Sequence, residues 1–236
     1  MFLYCIVKYR FFHLTEQENT ISNQQSSDHF RQSFFIMLGF VILLWLIQVA
    51  SALFSLELVR YGVYPREMSG LRGILFAPLI HGSFAHIFSN TLPLLVMGTA
   101  MLLGYPRSSK FVFPVIYFGV GLMVWLFGRE SFHVGASGIN FGLLTFVFVV
   151  GALRWDKKAI ALSCLVFFMY GSMIWGIFPA EPGVSFESHF FGAVIGVLCA
   201  LIFRDRDAKP PEKRYDWEDE TEEPDDYFDD DNPTIH

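Results

Sequence analysis

Cysteine, charge inside the long apolar runs, and any processing signal are what this chain has little of. Cys5, Cys164 and Cys199 are an odd number without metal-ligand spacing, so they offer no metal site. The last two lie in apolar runs and read as small buried hydrophobes. Residues 1–10 begin apolar, but Lys8 and Arg10 interrupt them well short of spanning length. No small-residue cleavage site follows, which argues against a signal peptide. The net charge of −6 misleads, because residues 216–231 hold eleven carboxylates and no base and the remainder is basic. Nothing points to a metal, a cofactor or a nucleic acid partner.

What is abundant is apolar. Hydrophobic residues make up 53% of the 236 residues, and 27 of them are Phe, a composition that fits a multispanning membrane protein rather than a soluble domain. Six runs approach the ~20 residues a bilayer needs: 34–56, 84–103, 111–127, 137–153, 159–178 and 184–203. The reading is an all-α membrane protein in three parts. Residues 1–33 form a cytoplasmic N-terminal segment, loosely ordered over the polar stretch 15–27. Residues 34–203 form a six-helix membrane domain, and 204–236 a disordered acidic cytoplasmic tail. The connection 60–83 carries Pro65, Arg66, Arg72 and Pro78 among apolar residues, and reads as a folded loop on the bilayer surface.

With a cytoplasmic N-terminus, thirteen Lys and Arg fall on the inner side and four on the outer: Arg60, Arg66, Arg72 and Arg129. That asymmetry places both termini inside and suggests the plasma (inner) membrane. The second, fourth and sixth spans then run from outside to inside, and each carries polar groups near its outer end: His86 and Asn90, Ser137, and His189. At a rise of ~1.5 Å per residue, Asn90, Ser137 and His189 stand roughly 20, 24 and 21 Å above the inner boundary. His86 and Asn90, four apart, share a helix face. Being costly in hydrocarbon, such groups belong in the bundle interior or a water-filled cavity.

Ser137 sits in Gly135-Ala136-Ser137-Gly138. Flanking glycines let a substrate backbone approach and leave N–H groups free to hold an oxyanion, although the same small residues also suit close helix packing. The set is what serine hydrolysis needs: Ser137 as nucleophile, His189 as general base, His86 and Asn90 as oxyanion donors. Gly138 with Gly142, and Gly192 with Gly196, form G-x-x-x-G faces that would let the fourth and sixth spans nearly touch.

These residues resemble the rhomboid family of intramembrane serine proteases. The matching elements are Gly135-Ala136-Ser137-Gly138, His86-x-x-x-Asn90 within HGSFAHIFSN, and His189-x-x-Gly192-x-x-x-Gly196, in matching order across 34–203. The resemblance implies a six-transmembrane-helix rhomboid-like bundle whose first loop is embedded in the membrane. It also implies hydrolysis of peptide bonds in or beside the transmembrane segments of single-pass or other membrane proteins, by a Ser–His dyad with no metal or cofactor. Two positions depart from the pattern. Only Arg72 of a Trp-Arg pair is present, between Leu71 and Gly73, which puts the loop's anchoring in question, and Ser188 stands where many members have Ala. His81 matches a loop histidine with a structural role, and His133 is assigned to the loop wall. A catalytically weak relative that only binds transmembrane helices is the alternative, disfavoured by retention of both Ser137 and His189. A small transporter is a third, weakened by the absence of acidic residues in span cores and of an evident inverted repeat. Phe178, Val184 and Phe186 are read as plugging the opening above His189, where the resemblance implies a mobile cap.

Overall fold

The structure is a computed structural model. It describes the backbone of residues 2–179 and 183–209, with side chains from residue 24 onward. Among the described residues there are seven α-helices: α1 (Phe2–Leu53), α2 (Gly73–Phe76), α3 (Phe84–Gly104), α4 (Ser109–Phe127), α5 (Ser137–Arg154), α6 (Lys157–Tyr170) and α7 (Phe186–Phe203). All but the one-turn α2 contain a stretch long and apolar enough to cross a membrane. In α1 this is Gln24–Leu53, and α6 reaches that length through a 3-10 continuation to Ile177. The protein is therefore an all-α, multi-pass integral membrane protein.

α5 is the most enclosed of these stretches, with 67% of its apolar window buried. Phe146, Leu143, Val147 and Val150 are shut off from the surface altogether. The outward faces of α1 and α7 instead expose Leu46, Leu53, Leu198 and Ile202, which is unremarkable for helices whose solvent is hydrocarbon.

The N-terminal expectation needs correction. Residues 15–27, polar enough to suggest looseness, continue α1 without a break. No Gly or Pro occurs before Gly39, so nothing stops a helix nucleated in the span from propagating backward, at the small cost per residue of its polar side chains.

The first loop is held by more than Arg72. Arg72 donates to the Arg60 carbonyl (3.0 Å) and lies over the Tyr61 ring. α4 supplies the rest, as Trp125 Nε1 donates to the Glu67 carbonyl (2.9 Å) and Tyr117 to the Leu75 carbonyl (2.6 Å). A tryptophan from the neighbouring helix thus anchors a loop that lacks one of its own. Met68, Leu75 and Phe76 remain exposed on its outer side.

The C-terminal expectation also changes. Residues 204–209 are tied to the bundle through one buried side chain: Asp207 is enclosed, and its carboxylate accepts from the Arg107 and Ser108 N–H groups (2.7 and 3.0 Å) and the Ser108 hydroxyl (2.5 Å). Buried Arg154 at the end of α5 donates to the carbonyls of Arg204, Asp207 and Ala208. An aspartate accepting backbone N–H groups beside a helix start satisfies donors the helix cannot, and here it ties the start of α4 to the ends of α5 and α7. The carboxylate run 216–231 lies outside the described residues.

Candidate active site

The nucleophile loop approaches α5 through Gly135, whose φ of +110° is tolerated by glycine and strained for other residues. Its N–H donates to the Ala77 carbonyl (2.8 Å). The Ala136 N–H donates to His81 Nε2 (3.3 Å). Burial, then the neighbouring His86, push His81 down to about 3, so its ring is neutral and free to accept. Helix α5 starts at the next residue, putting Ser137 in its first turn.

From the other side α7 brings His189, one turn past Ser185, which caps the helix by accepting from the Ser188 N–H (3.3 Å). His189 Nε2 lies 2.9 Å from Ser137 Oγ, and Nδ1 lies 2.8 Å from the Gly176 carbonyl oxygen. A carbonyl can only accept, so Nδ1 carries the proton and Nε2 presents its lone pair to the serine hydroxyl. The ring stacks on Phe141, with centroids 4.2 Å apart and planes 8° from parallel. Gly176 has no room for a side chain, since a Cβ would lie 2.9 Å from Phe141 Cζ and 3.2 Å from His189 Nδ1.

The glycines explain how two membrane helices come this close. A Cβ on Gly192 would overlap the Gly138 carbonyl oxygen, and one on Gly196 would overlap the Gly142 carbonyl and the Thr145 hydroxyl. A Cβ on Gly138 would sit 3.0 Å from the Ser188 carbonyl. The two backbones are in direct contact, as expected of facing G-x-x-x-G faces.

His86 and Asn90 enter from α3. The His86 ring edge fills the space beside Gly135, where a Cβ would lie 2.6 Å from Cε1 and 2.7 Å from Nε2. Asn90 is buried. Its Nδ2 donates to the His86 carbonyl (2.9 Å), and its Oδ1 accepts from Asn140 Nδ2 (2.9 Å). The second Nδ2 proton has no acceptor among the described residues.

His133 does line the loop wall, and it also joins it to α7. Its backbone exchanges hydrogen bonds with Val63 (3.0 and 2.8 Å), its Nδ1 lies 2.6 Å from Ser185 Oγ, and its Nε2 meets the Arg129 carbonyl (3.0 Å). Burial keeps this ring below its ordinary value, against the upward pull of the Arg129 carbonyl and Glu187. Ser188, the departure noted above, hydrogen-bonds Ser185 (2.8 Å) without disturbing the helix. Of the residues read as a plug, Phe186 is half-buried beneath the Arg129 guanidinium. Phe178 is exposed and packs on Trp175 instead.

Three partners escape the sequence reading: Gly176, Phe141 and Asn140. Asn140 could have been found, since it is a lone amide in an apolar run, three residues after Ser137 and on nearly the same face. Gly176 contributes only its backbone, which no residue type announces.

Comparison with known proteins gives the family. The family model described as "Rhomboid domain" matches residues 68–206. An uncharacterized protein of Mycobacterium tuberculosis is 37% identical over 177 residues, covering 70% of this chain and 73% of the relative. One of Mycobacterium leprae is 33% identical over 178 residues, covering 70% and 69%. The RHOMBOID-like protein 4 of Arabidopsis thaliana is 29% identical over 128 residues, covering 52% of this chain and 32% of that protein. With more than half of its length matched by that model, the chain belongs to the rhomboid family.

Proposed function

We propose that the protein is an intramembrane serine endopeptidase that hydrolyses peptide bonds in or next to the transmembrane segments of other membrane proteins. The observation carrying this reading is the 2.9 Å contact between Ser137 Oγ and His189 Nε2, with Nδ1 already committed to the Gly176 carbonyl. The Gly176 carbonyl, accepting from Nδ1–H, fixes the tautomer as a carboxylate would in a triad, without placing another charge at this depth.

In the proposed reaction Ser137 Oγ bonds to the scissile carbonyl carbon while its proton passes to His189 Nε2, and the carbonyl electron pair moves onto oxygen. Oxyanion donors would be the unpaired Asn90 Nδ2 proton and the His86 ring N–H. Protonated His189 then gives its proton to the leaving amine, and water, with His189 again as base, releases the acyl group. The direct test is reconstitution in liposomes with a panel of single-pass membrane proteins, followed by mass spectrometry of the products. Discrete cleavage in or beside a transmembrane segment is expected. Intact substrates that nonetheless co-purify with the protein would favour a helix-binding role.

Asn90→Ala is expected to lower kcat by about 10- to 1,000-fold with little change in KM. One oxyanion donor typically contributes up to a few kcal/mol, and its partner donor compensates in part. A change confined to KM would assign Asn90 to substrate binding.

The charge count supports both termini facing the cytoplasm of a plasma membrane, with the serine loop on the opposite side. Glu130 is on that loop with its side chain 73% exposed. In a background without the native cysteines, Glu130→Cys is expected to react with an impermeant thiol reagent added from outside. Labelling only from the inner face would invert the topology.

A further inference from the structure

At the end of the bundle remote from Ser137, between the exits of α3 and α5 and the start of α6, lies a cavity of about 320 Å³. We propose that it binds the phosphate headgroup of an anionic membrane lipid. Tyr105, Arg154, Asp156, Lys158, Leu162 and Lys209 are among its lining residues.

The charges do not cancel. Asp156 is spoken for, because Arg154 Nε donates to it (2.8 Å) and the Ala159 N–H caps against it (2.9 Å). Lys158 and Lys209 form no ion pair among the described residues. Lys158 donates to the Leu103 carbonyl (3.3 Å) and keeps two further N–H groups. Two ammonium groups on exposed side chains at one opening suit phosphate, which lysine binds as a point charge.

The second observation is Tyr105. Its residue is only 2% exposed, yet its hydroxyl has no hydrogen-bond partner, a costly omission for a buried polar group. Burial pushes the phenol up to about 12, so it is a neutral donor at any physiological pH. The hydroxyl is sealed within the cavity wall, so the ring must turn toward the cavity for a bound acceptor oxygen to satisfy it.

The shape of the lining distinguishes a lipid from a free anion. Tyr105 follows the last residue of α3 and Lys158 lies in the first turn of α6, so the polar side sits where helices leave the apolar layer. Leu162, one turn along α6, packs against Gly104 in the same lining, an apolar strip along which an acyl chain would lie. Basic pockets between membrane helices at this level are suited to anionic headgroups. The competing occupant is the carboxylate run 216–231, which begins seven residues beyond Lys209.

The test is native mass spectrometry of the full chain in detergent with phosphatidylglycerol or phosphatidylcholine of the same acyl chains. One phosphatidylglycerol is expected to be retained at about tenfold lower concentration than phosphatidylcholine. The double substitution Lys158→Gln, Lys209→Gln should abolish that preference, and Tyr105→Phe should weaken retention of phosphatidylglycerol about threefold, each with an unchanged melting temperature in the absence of lipid. Equal retention of both lipids, or a preference that survives the lysine substitutions, would overturn the site. Should the double variant fail to fold, Tyr105→Phe still decides: undiminished retention of phosphatidylglycerol counts against the proposal. Displacement of the lipid by millimolar inorganic phosphate would make this a free-anion site. A full-length variant with the eleven carboxylates changed to amides should bind phosphatidylglycerol as the native chain does. Binding that becomes much tighter would identify the tail as the occupant.

Discussion

Ser137→Ala is expected to reduce cleavage of a reconstituted transmembrane substrate by about 10,000-fold or more, and His189→Ala by a similar factor. The double variant should be no slower than either single one, since a nucleophile without its base and a base without its nucleophile are equally idle. Ser137→Ala should melt near the native temperature, and the variants lacking His189 should remain folded. Ser137→Ala removes one hydroxyl from a contact that leaves the Gly138–Gly192 backbone packing and the Phe141–His189 stack in place. His189→Ala also removes a ring stacked on Phe141, so it is expected to cost more stability. His189→Gln, which keeps a polar side chain of comparable reach, separates loss of chemistry from loss of packing. Substantial turnover by purified Ser137→Ala would remove Ser137 from the mechanism. Turnover falling in proportion to the folded fraction would make His189 a structural residue.

Much of the site was legible because the constraint that shapes it is severe. A histidine or asparagine in an apolar run must find company, so His86, Asn90 and His189 could be assigned to the interior from their depth alone. Facing glycine pairs on α5 and α7 then made the two helices that approach one another identifiable. The parts that were missed obey no such rule. Gly176 orients His189 through a carbonyl every residue has, and it does so from a 3-10 segment, Gly171–Ile177, that reads as the end of a uniform span. Phe141 is one aromatic among 27 Phe, and only packing distinguishes it. At the termini, composition misled in one consistent way. Polar residues 15–27 suggest looseness by composition although no Gly or Pro interrupts them, and Asp207 reads as part of the acidic tail although its carboxylate is enclosed by the start of α4. Local charge density says little about a residue whose partners lie about a hundred positions away.

Gly192→Ala should be among the most damaging single methyls that can be added to the membrane helices, and Gly39→Ala is its control. Both glycines sit inside membrane helices. A Cβ at Gly39 meets nothing within 4 Å, whereas one at Gly192 overlaps the Gly138 carbonyl oxygen. That oxygen is main chain and has no rotamer by which to yield, so α5 and α7 must move apart at the level where Ser137 and His189 meet. Overpacking a tight contact costs on the order of 1–3 kcal/mol, which should appear as a melting temperature several degrees lower. The effect on activity should be larger, because a misplacement of about 1 Å in a reacting pair can cost on the order of 100-fold in rate, and the Ser137–His189 contact of 2.9 Å has little to spare. Gly39→Ala should leave activity unchanged and stabilise slightly if at all, since alanine restricts the unfolded chain more than glycine does and here meets no obstacle. Comparing the two isolates backbone contact from helix propensity. If Gly192→Ala melts and cleaves like the native protein, α5 and α7 are not apposed through these glycines, and the dyad geometry built on that contact falls with it.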